Sequence, residues 1–139
     1  MDHGARPPGE DPRPPLVVTA AVIERDGAFL VTRRQQGFHL EGYWEFPGGK
    51  CEQGESLADC VRRELREELG TDGDVGAELL AVTHDYPERA IELHFIACTL
   101  HANPRPLLGQ EMRWVPRAAL RTLKFPPADD ELIGMLQQT

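Results

Sequence analysis

Three glutamates stand close together in the middle of the chain, at Glu64, Glu67 and Glu68. Their spacing of three and four residues places the three carboxylates on one side of a helix. Like charges at this spacing repel each other, whereas grouped oxygen ligands are what Mg²⁺ or Mn²⁺ prefers. A bound cation would offset the repulsion, bridge phosphate oxygens and acidify a bound water. The trio therefore predicts a divalent-cation site.

The same segment also fits a solvated, salt-bridged helix face. Three arginines are interleaved with the glutamates, namely Arg62, Arg63 and Arg66. Charged surface helices are far commoner than metal sites. The preceding loop favours the cation site, because it begins with Gly48-Gly49-Lys50 and ends with Glu55 just before the helix. Glycines at such a position let the backbone approach a ligand closely.

An amphipathic pattern predicts the helix that must carry these carboxylates, from about Ser56 to Leu69. Ser56 is suited to cap its N-terminus, and Asp59, three residues on, comes close to a capping-box arrangement. Gly70 is suited to end it. The apolar stripe of the helix consists of Leu57, Val61, Leu65 and Leu69.

The flanking segments predict a sheet. Leu16 to Glu24 and Ala28 to Thr32 form apolar runs on either side of Asp26-Gly27, which predicts a hairpin. Further strands are predicted at Trp44 to Phe46, Glu78 to His84, Ile91 to Leu100 and Met112 to Val115, with a helical turn at Pro116 to Leu120 and a closing helix at Ala128 to Leu136. Strands with one central and one terminal helix predict an α/β (α+β) fold in which helices enclose a mixed β-sheet.

The chain has 139 residues, and residues 16–139 are expected to form one domain. Residues 1–15, with five prolines, are expected to be a disordered tail. The net charge of -8 argues against binding of nucleic acid polymers. No apolar stretch is long enough for a bilayer, and the three scattered cysteines predict no disulfide framework. A cytoplasmic protein is therefore expected, as a monomer or a homodimer.

The segment from Gly49 to Thr71 resembles a complete Nudix box. Its matching residues are Gly49, Glu55, Arg63-Glu64-Leu65, Glu67-Glu68 and Gly70. Only Thr71 departs, since a bulky aliphatic residue is usual there, and that residue packs rather than reacts. The resemblance implies a Nudix hydrolase with an α/β/α sandwich and a loop-helix-loop box, which uses Mg²⁺ (or Mn²⁺) to cut the phosphate chain of a nucleotide substrate.

The resemblance also implies individual roles. The metal ligands would be the carbonyl of Gly49 and the carboxylates of Glu64, Glu67 and Glu68. Arg63 would orient a box glutamate, and Glu55 would support the loop. Glu64 is the favoured general base. Glu111, in a later loop, is its rival and a further candidate metal ligand, although it also fits an ordinary solvated turn residue.

Similarity to MutT-like nucleotide sanitisers extends beyond the box. It covers Thr32-Arg33-Arg34, Trp44 to Lys50, Tyr86 to Arg89 and Phe125 to Asp129. By this resemblance the substrate-binding residues are Arg34, Phe46, Tyr86, Arg89 and Asp129. Alternatively, Phe46 belongs to the core, Tyr86 is a loop aromatic, and the arginines are surface residues.

Asp129 bears on which base is recognised. MutT-like enzymes that act on 8-oxoguanine have an asparagine there, whose amide both donates and accepts, whereas an ionised aspartate only accepts. An acceptor suits the exocyclic amine of cytosine, and the cytidine-triphosphate branch of the family resembles this chain in its Pro-Ala-Asp. A protonated aspartate would still donate to 8-oxoguanine if the pocket raised its pKa. Helix capping by Asp129 is a third alternative.

Three functions follow from these patterns. The first is hydrolysis of free (deoxy)nucleoside triphosphates to monophosphate and pyrophosphate, with oxidised or modified nucleotides such as 8-oxo-dGTP or modified dCTP/CTP as substrates. The second is hydrolysis of a nucleoside diphosphate sugar or dinucleoside polyphosphate, for which the compact chain lacks obvious recognition elements. The third is a non-catalytic nucleotide sensor, which the complete set of box carboxylates disfavours.

Overall fold

The computed structural model describes residues 13–138, so most of the predicted N-terminal tail lies outside the described residues. The strands are β1 (Leu16–Val22), β2 (Glu24–Arg25), β3 (Ala28–Arg33), β4 (Trp44–Glu45), β5 (Gly48–Lys50), β6 (Gly73–Asp85), β7 (Ala90–Leu100) and β8 (Met112–Pro116). Two α-helices, α1 (Leu57–Leu69) and α2 (Asp130–Gln137), are accompanied by 3₁₀ helices at Arg117–Thr122 and Pro127–Asp129.

One sheet has the strand order β5-β1-β7-β6. Strands β1 and β7 are parallel, and the other pairs are antiparallel, so the predicted mixed sheet is confirmed. Pairing of β5 with β1 brings Gly49 opposite Thr19. The glycine-rich start of the box is therefore held as an edge strand of the main sheet.

The second sheet is antiparallel and contains β2, β3, β4 and β8. Its first hairpin turns at Asp26 and Gly27, whose φ angles are 53° and 78°. Positive φ at both central residues is the geometry that an Asp-Gly hairpin favours. The predicted hairpin is confirmed, and both of its strands, β2 and β3, belong to the second sheet.

Two apolar cores lie on opposite faces of the sheets. Alternate residues of β1 point to opposite faces, so Ala20 packs with α2 while Ala21 packs with α1. The core under α1 includes Val61, Leu65 and Leu69, all fully buried. The sheets are thus enclosed by a helix on each side, as the predicted α/β/α sandwich requires.

Local interactions at both ends fix the extent of α1. The Ser56 side chain accepts a hydrogen bond of 3.1 Å from the backbone N–H of Asp59. Gly70 adopts a left-handed conformation with φ 67°, and its N–H donates to the carbonyl of Arg66. Both predicted caps are confirmed, and they fix which residues of the helix face the box loop.

The expectation that the cysteines form no disulfide is wrong. Cys51 and Cys60 are joined by a disulfide, with their Cα atoms 5.2 Å apart. The loop after β5 turns back onto the first turns of α1, which brings together two residues nine positions apart. The cysteine pattern therefore no longer supports a reducing compartment. Within residues 13–138, no helix has the length and apolarity needed to cross a membrane.

Candidate functional site

The three box glutamates lie on the exposed side of α1 in different surroundings. The side chain of Glu64 is only 13% exposed, whereas that of Glu67 is 57% exposed. Glu68 is partly buried and accepts a hydrogen bond of 2.9 Å from the backbone N–H of Gly48. The helix thus presents carboxylates both to the box loop and to solvent.

Burial and mutual repulsion perturb these carboxyl groups. Burial, and then the charges of Glu64 and Glu45, raise the pKa of Glu68 to about 8. Burial likewise raises the pKa of Glu64, against the lowering effect of Arg63. Carboxylates that are costly to ionise together are stabilised by a nearby cation. The all-oxygen donor set therefore fits a hard divalent cation.

Arg63 is the hub of the loop-helix contact. It donates to Glu55 through Nε at 2.8 Å and Nη2 at 2.9 Å, and to Glu64 through Nη1 at 2.9 Å. Its Nη2 also donates to the carbonyl of Lys50 at 2.9 Å. The hydrogen bonds from Arg63 to Glu55 lower the pKa of Glu55 to about 2. Arg63 therefore holds both the loop and one glutamate in place.

The glycines of β5 lie against these groups. A Cβ atom on Gly49 would stand 2.6 Å from Oε2 of Glu64, closer than real Cβ contacts. A Cβ on Gly48 would overlap the backbone carbonyl of Thr19. Gly49 is therefore needed to let a carboxylate rest on the backbone, and Gly48 is needed to let two strands approach.

A cavity of about 710 Å³ opens beside the cluster. It connects the glutamate end of the site to the residues that sequence similarity assigned to the nucleotide. Its lining includes Gly49, Glu68, Phe46, Tyr86 and Asp129. One continuous space is thus lined both by residues of the box and by residues that sequence similarity assigned to the nucleotide.

Asp129 lines this cavity and is 5% exposed. It stands before α2, yet its side chain makes no capping hydrogen bond, so the capping alternative is wrong. Burial, and then the negative charge of Glu45, raise the pKa of Asp129 to about 7. The carboxyl group can therefore be a donor or an acceptor near neutral pH.

Two aromatic side chains frame the cavity. Phe46 is 4% exposed and stacks on Phe125, with ring centroids 5.5 Å apart, so it belongs to the core and also lines the cavity. Tyr86 contacts His84 and His39, with ring centroids 4.6 Å and 5.7 Å from its own. Both residues therefore line the cavity, and their role in binding a base stays a prediction.

The two predicted arginines line the same cavity but have protein partners. Nε of Arg34 lies 3.1 Å from Oε2 of Glu45. Arg89 donates to the carbonyl of Pro14 through Nε at 3.1 Å and Nη2 at 2.6 Å. Arg89 therefore ties the β6–β7 turn to the segment that precedes β1.

Glu111 pairs with two arginines, and its role as a further metal ligand stays a prediction. One oxygen lies 3.3 Å from Nη1 of Arg33 and the other accepts from Arg113 at 3.1 Å. Its side chain is 44% exposed, and it is not among the residues that line the cavity. The surface-residue alternative describes its position better than a fourth metal carboxylate does.

Two residues of the site were missed by sequence reasoning. Glu45 lines the cavity with a pKa raised by burial, and Gln110 donates to the carbonyl of Glu68 at 3.1 Å. Glu45 carried a usable signal, because an acidic residue between Trp44 and Phe46 in a short strand points away from the core.

A second donor group lies at the edge of the box loop. Sγ of Cys51, Sγ of Cys60 and a carboxylate oxygen of Glu55 lie within 4.8 Å of one another. Both oxygens of Glu55 already accept hydrogen bonds, one from Arg63 alone and one from Arg63 and Glu52 N–H. The glutamates of α1 are therefore the better cation ligands.

Comparison with known families fits this arrangement. Residues 18–135 match the family described as NUDIX domain. The chain belongs to the NUDIX domain family. The match spans both sheets and reaches into α2, so family membership covers the cavity as well as the box.

Relatives with assigned activities are similar over most of their length. The chain is 44% identical over 120 residues to the CTP pyrophosphohydrolase of Escherichia coli (strain K12), covering 85% of this chain and 88% of the relative. It is 30% identical over 125 residues to the 8-oxo-dGTP diphosphatase of the same strain, covering 88% and 97%. A solved structure of MutT from Aliivibrio salmonicida and Vibrio cholerae superimposes with a TM-score of 0.76 at 27% identity, covering 89% and 97%.

Proposed function

We propose that this NUDIX protein hydrolyses nucleoside triphosphates to monophosphate and pyrophosphate with the help of a divalent cation, Mg²⁺ in the first place and Mn²⁺ as a substitute. One observation carries the proposal: Glu68 of the carboxylate cluster on α1, Gly49 of the box loop and the buried Asp129 line the same cavity. Its relatives named as a CTP pyrophosphohydrolase and 8-oxo-dGTP diphosphatases support this substrate class.

The cation ligands in this proposal are Glu64, Glu67, Glu68 and the carbonyl of Gly49. A bound cation supplies charge for the phosphate oxygens and acidifies a water. Arg63 orients Glu64 through its 2.9 Å hydrogen bond. Burial raises the pKa of Glu64, which suits a group that must take a proton from water, so Glu64 is the proposed general base.

The proposed substrates are oxidised or modified nucleotides, either 8-oxo-dGTP or modified dCTP/CTP. Phe46 and Tyr86 form the walls of the proposed base pocket, and Arg34 and Arg89 its polar rim. Because the pKa of Asp129 is about 7, both forms of its carboxyl group are accessible. The ionised form suits the amine of cytosine, and the protonated form suits an acceptor on 8-oxoguanine.

The remaining properties follow from the same proposal. The partner is a small nucleotide and not a nucleic acid polymer, consistent with a net charge of -8. The cavity is formed within one chain, so a monomer or a homodimer would serve equally. A single domain from residue 16 onward and a cytoplasmic location remain predictions.

A nucleotide panel with and without Mg²⁺ tests the proposal, with pyrophosphate and monophosphate as the measured products. We expect Glu67→Gln and Glu68→Gln to lower kcat at least about 100-fold, because each removes a charged metal ligand without opening a cavity. Glu131→Gln is the matched control, since Glu131 is exposed on α2 and should leave kcat unchanged. Binding of nucleotides without any turnover would favour the sensor alternative and contradict the proposal.

A further inference from the structure

The disulfide described above joins the two halves of the box. Cys51 directly follows β5, whose Gly49 supplies the proposed carbonyl ligand, and Cys60 lies in α1, one turn before Glu64. Sγ of Cys60 is 3.8 Å from the Gly49 carbonyl oxygen and 3.3 Å from Oγ1 of Thr19. The bond therefore connects the strand that carries the carbonyl to the helix that carries the carboxylates.

Noncovalent contacts hold the same loop independently of the disulfide. Arg63 binds Glu55 and the carbonyl of Lys50, and the backbone N–H of Glu52 donates to Glu55 at 2.9 Å. None of these contacts involves a sulfur atom. The disulfide thus adds to an arrangement that is already specified, so its loss should loosen the box and leave the fold intact.

The three cysteines differ in accessibility. Cys51 is partly exposed, whereas Cys60 is fully buried behind it. Cys98 is also buried, 6% exposed, and burial raises the pKa of its thiol to about 11, which makes it a poor nucleophile. An oxidant from solvent therefore reaches Cys51 first, and Cys60 is the partner that lies within bonding distance.

We propose that Cys51 and Cys60 form a reversible redox clasp that controls how tightly the box binds its divalent cation, an inference that rests on the proposed function. The oxidant is hydrogen peroxide. The sulfur of Cys51 attacks one peroxide oxygen, the O–O bond breaks, and water leaves with a sulfenic acid on Cys51. The sulfur of Cys60 then attacks that of Cys51, the S–O bond breaks, and a second water leaves as the S–S bond forms.

A cellular or added dithiol reverses the reaction by thiol–disulfide exchange and is itself oxidised to a disulfide. Oxidation fixes the distance between the Gly49 carbonyl strand and α1, so the ligands are preorganised and the cation binds more tightly. Reduction restores freedom to the loop and weakens binding. The clasp would thus keep the enzyme at high cation affinity under the oxidising conditions that damage nucleotides.

Binding of Mn²⁺, followed by electron paramagnetic resonance, tests the clasp without relying on turnover. The protein is treated with hydrogen peroxide or dithiothreitol, desalted and titrated, and mass spectrometry after alkylation counts the free thiols. We expect the oxidised protein to bind Mn²⁺ several-fold more tightly than the reduced protein. Cys51→Ser should match the reduced state under both treatments, and Cys98→Ala should respond like the wild type.

Equal Mn²⁺ affinity in the two redox states, with nucleotide hydrolysis retained, would overturn the clasp and leave the proposed function standing. Absence of Mn²⁺ uptake in both states would overturn both. Stoichiometric uptake of Zn²⁺ by the reduced protein, lost in Cys51→Ser, would make the pair a metal site and also overturn the clasp. Failure of hydrogen peroxide to restore the disulfide after reduction would also overturn the clasp.

Discussion

Replacement of Asp129 by Asn should stabilise the protein at neutral and alkaline pH and change little near pH 4. The carboxyl group has a pKa of about 7 in the folded protein, against an ordinary value of 3.8. Between these values the folded protein keeps a proton that the unfolded chain releases. The contribution of Asp129 to the free energy of unfolding therefore falls as the pH rises through this window, and it is lowest above pH 7.

The size of the effect follows from the pKa difference. About three pKa units correspond to about 4 kcal/mol at 1.36 kcal/mol per unit, which is the upper limit for a residue that is 5% exposed. Asn has nearly the same shape and no charge to bury, so it avoids this cost. For a domain of this size, a gain of that order raises the Tm by roughly 15 °C at pH 8.

Thermal unfolding in EDTA-containing buffers from pH 4 to pH 8 measures the difference without metal or nucleotide. Asp130→Asn is the matched control, because the Asp130 side chain is 74% exposed and pairs with Arg121 at 2.9 Å. The Asp130→Asn variant should show no increase in Tm over the wild type that grows with pH. If Asp129→Asn and the wild type melt together at both ends of the range, the buried, proton-holding carboxyl group proposed here does not exist.

Two further substitutions test other parts of the site. Gly49→Ala should lower kcat about 10- to 100-fold with little change in Tm, because the new Cβ displaces only the carboxylate end of Glu64. Gly134→Ala is the control, since its Cβ would meet Arg121 at 3.5 Å. Equal activity of the two variants would contradict this prediction. Ser56→Ala should lower the free energy of unfolding by about 1 kcal/mol in chemical denaturation, since it removes the cap of α1; an unchanged midpoint would show that the cap is replaceable.

Elements with strong local patterns were predictable. The apolar stripe, Ser56 and Gly70 define α1 within the sequence itself, and the observed bounds Leu57–Leu69 agree. The hairpin at Asp26-Gly27 is equally local, since few other dipeptides accept positive φ twice. The three glutamates share a side of α1 for the same reason: helix geometry alone sets their spacing.

Features that depend on tertiary contacts were not predictable from local patterns. Strand β6 begins at Gly73 instead of the expected Glu78, because its first five residues include two glycines, show no apolar alternation and are defined by bulged pairing with β7. The contact of Cys51 with Cys60 requires the path of the box loop. Glu111 pairs with Arg33 from a neighbouring strand, a register that no motif encodes.

The site also shows why a motif predicts chemistry better than specificity. The box residues lie within one contiguous segment, so their spacing in sequence is nearly their arrangement in space. The proposed base pocket joins Phe46, Tyr86 and Asp129 from three distant segments. The pKa of Asp129 depends first on burial and then on the charge of Glu45, and both become visible only in the folded protein.

The cavity is lined by several separate segments of the chain, with consequences for how such proteins diversify. Residues 48–50 and Glu68 belong to the box segment, whereas Ala128 and Asp129 lie ahead of α2, far from the box in sequence. A single substitution at position 129 leaves every hydrogen bond of the box segment in place. Selection can therefore exchange the favoured nucleobase among descendants while bond cleavage is inherited unchanged.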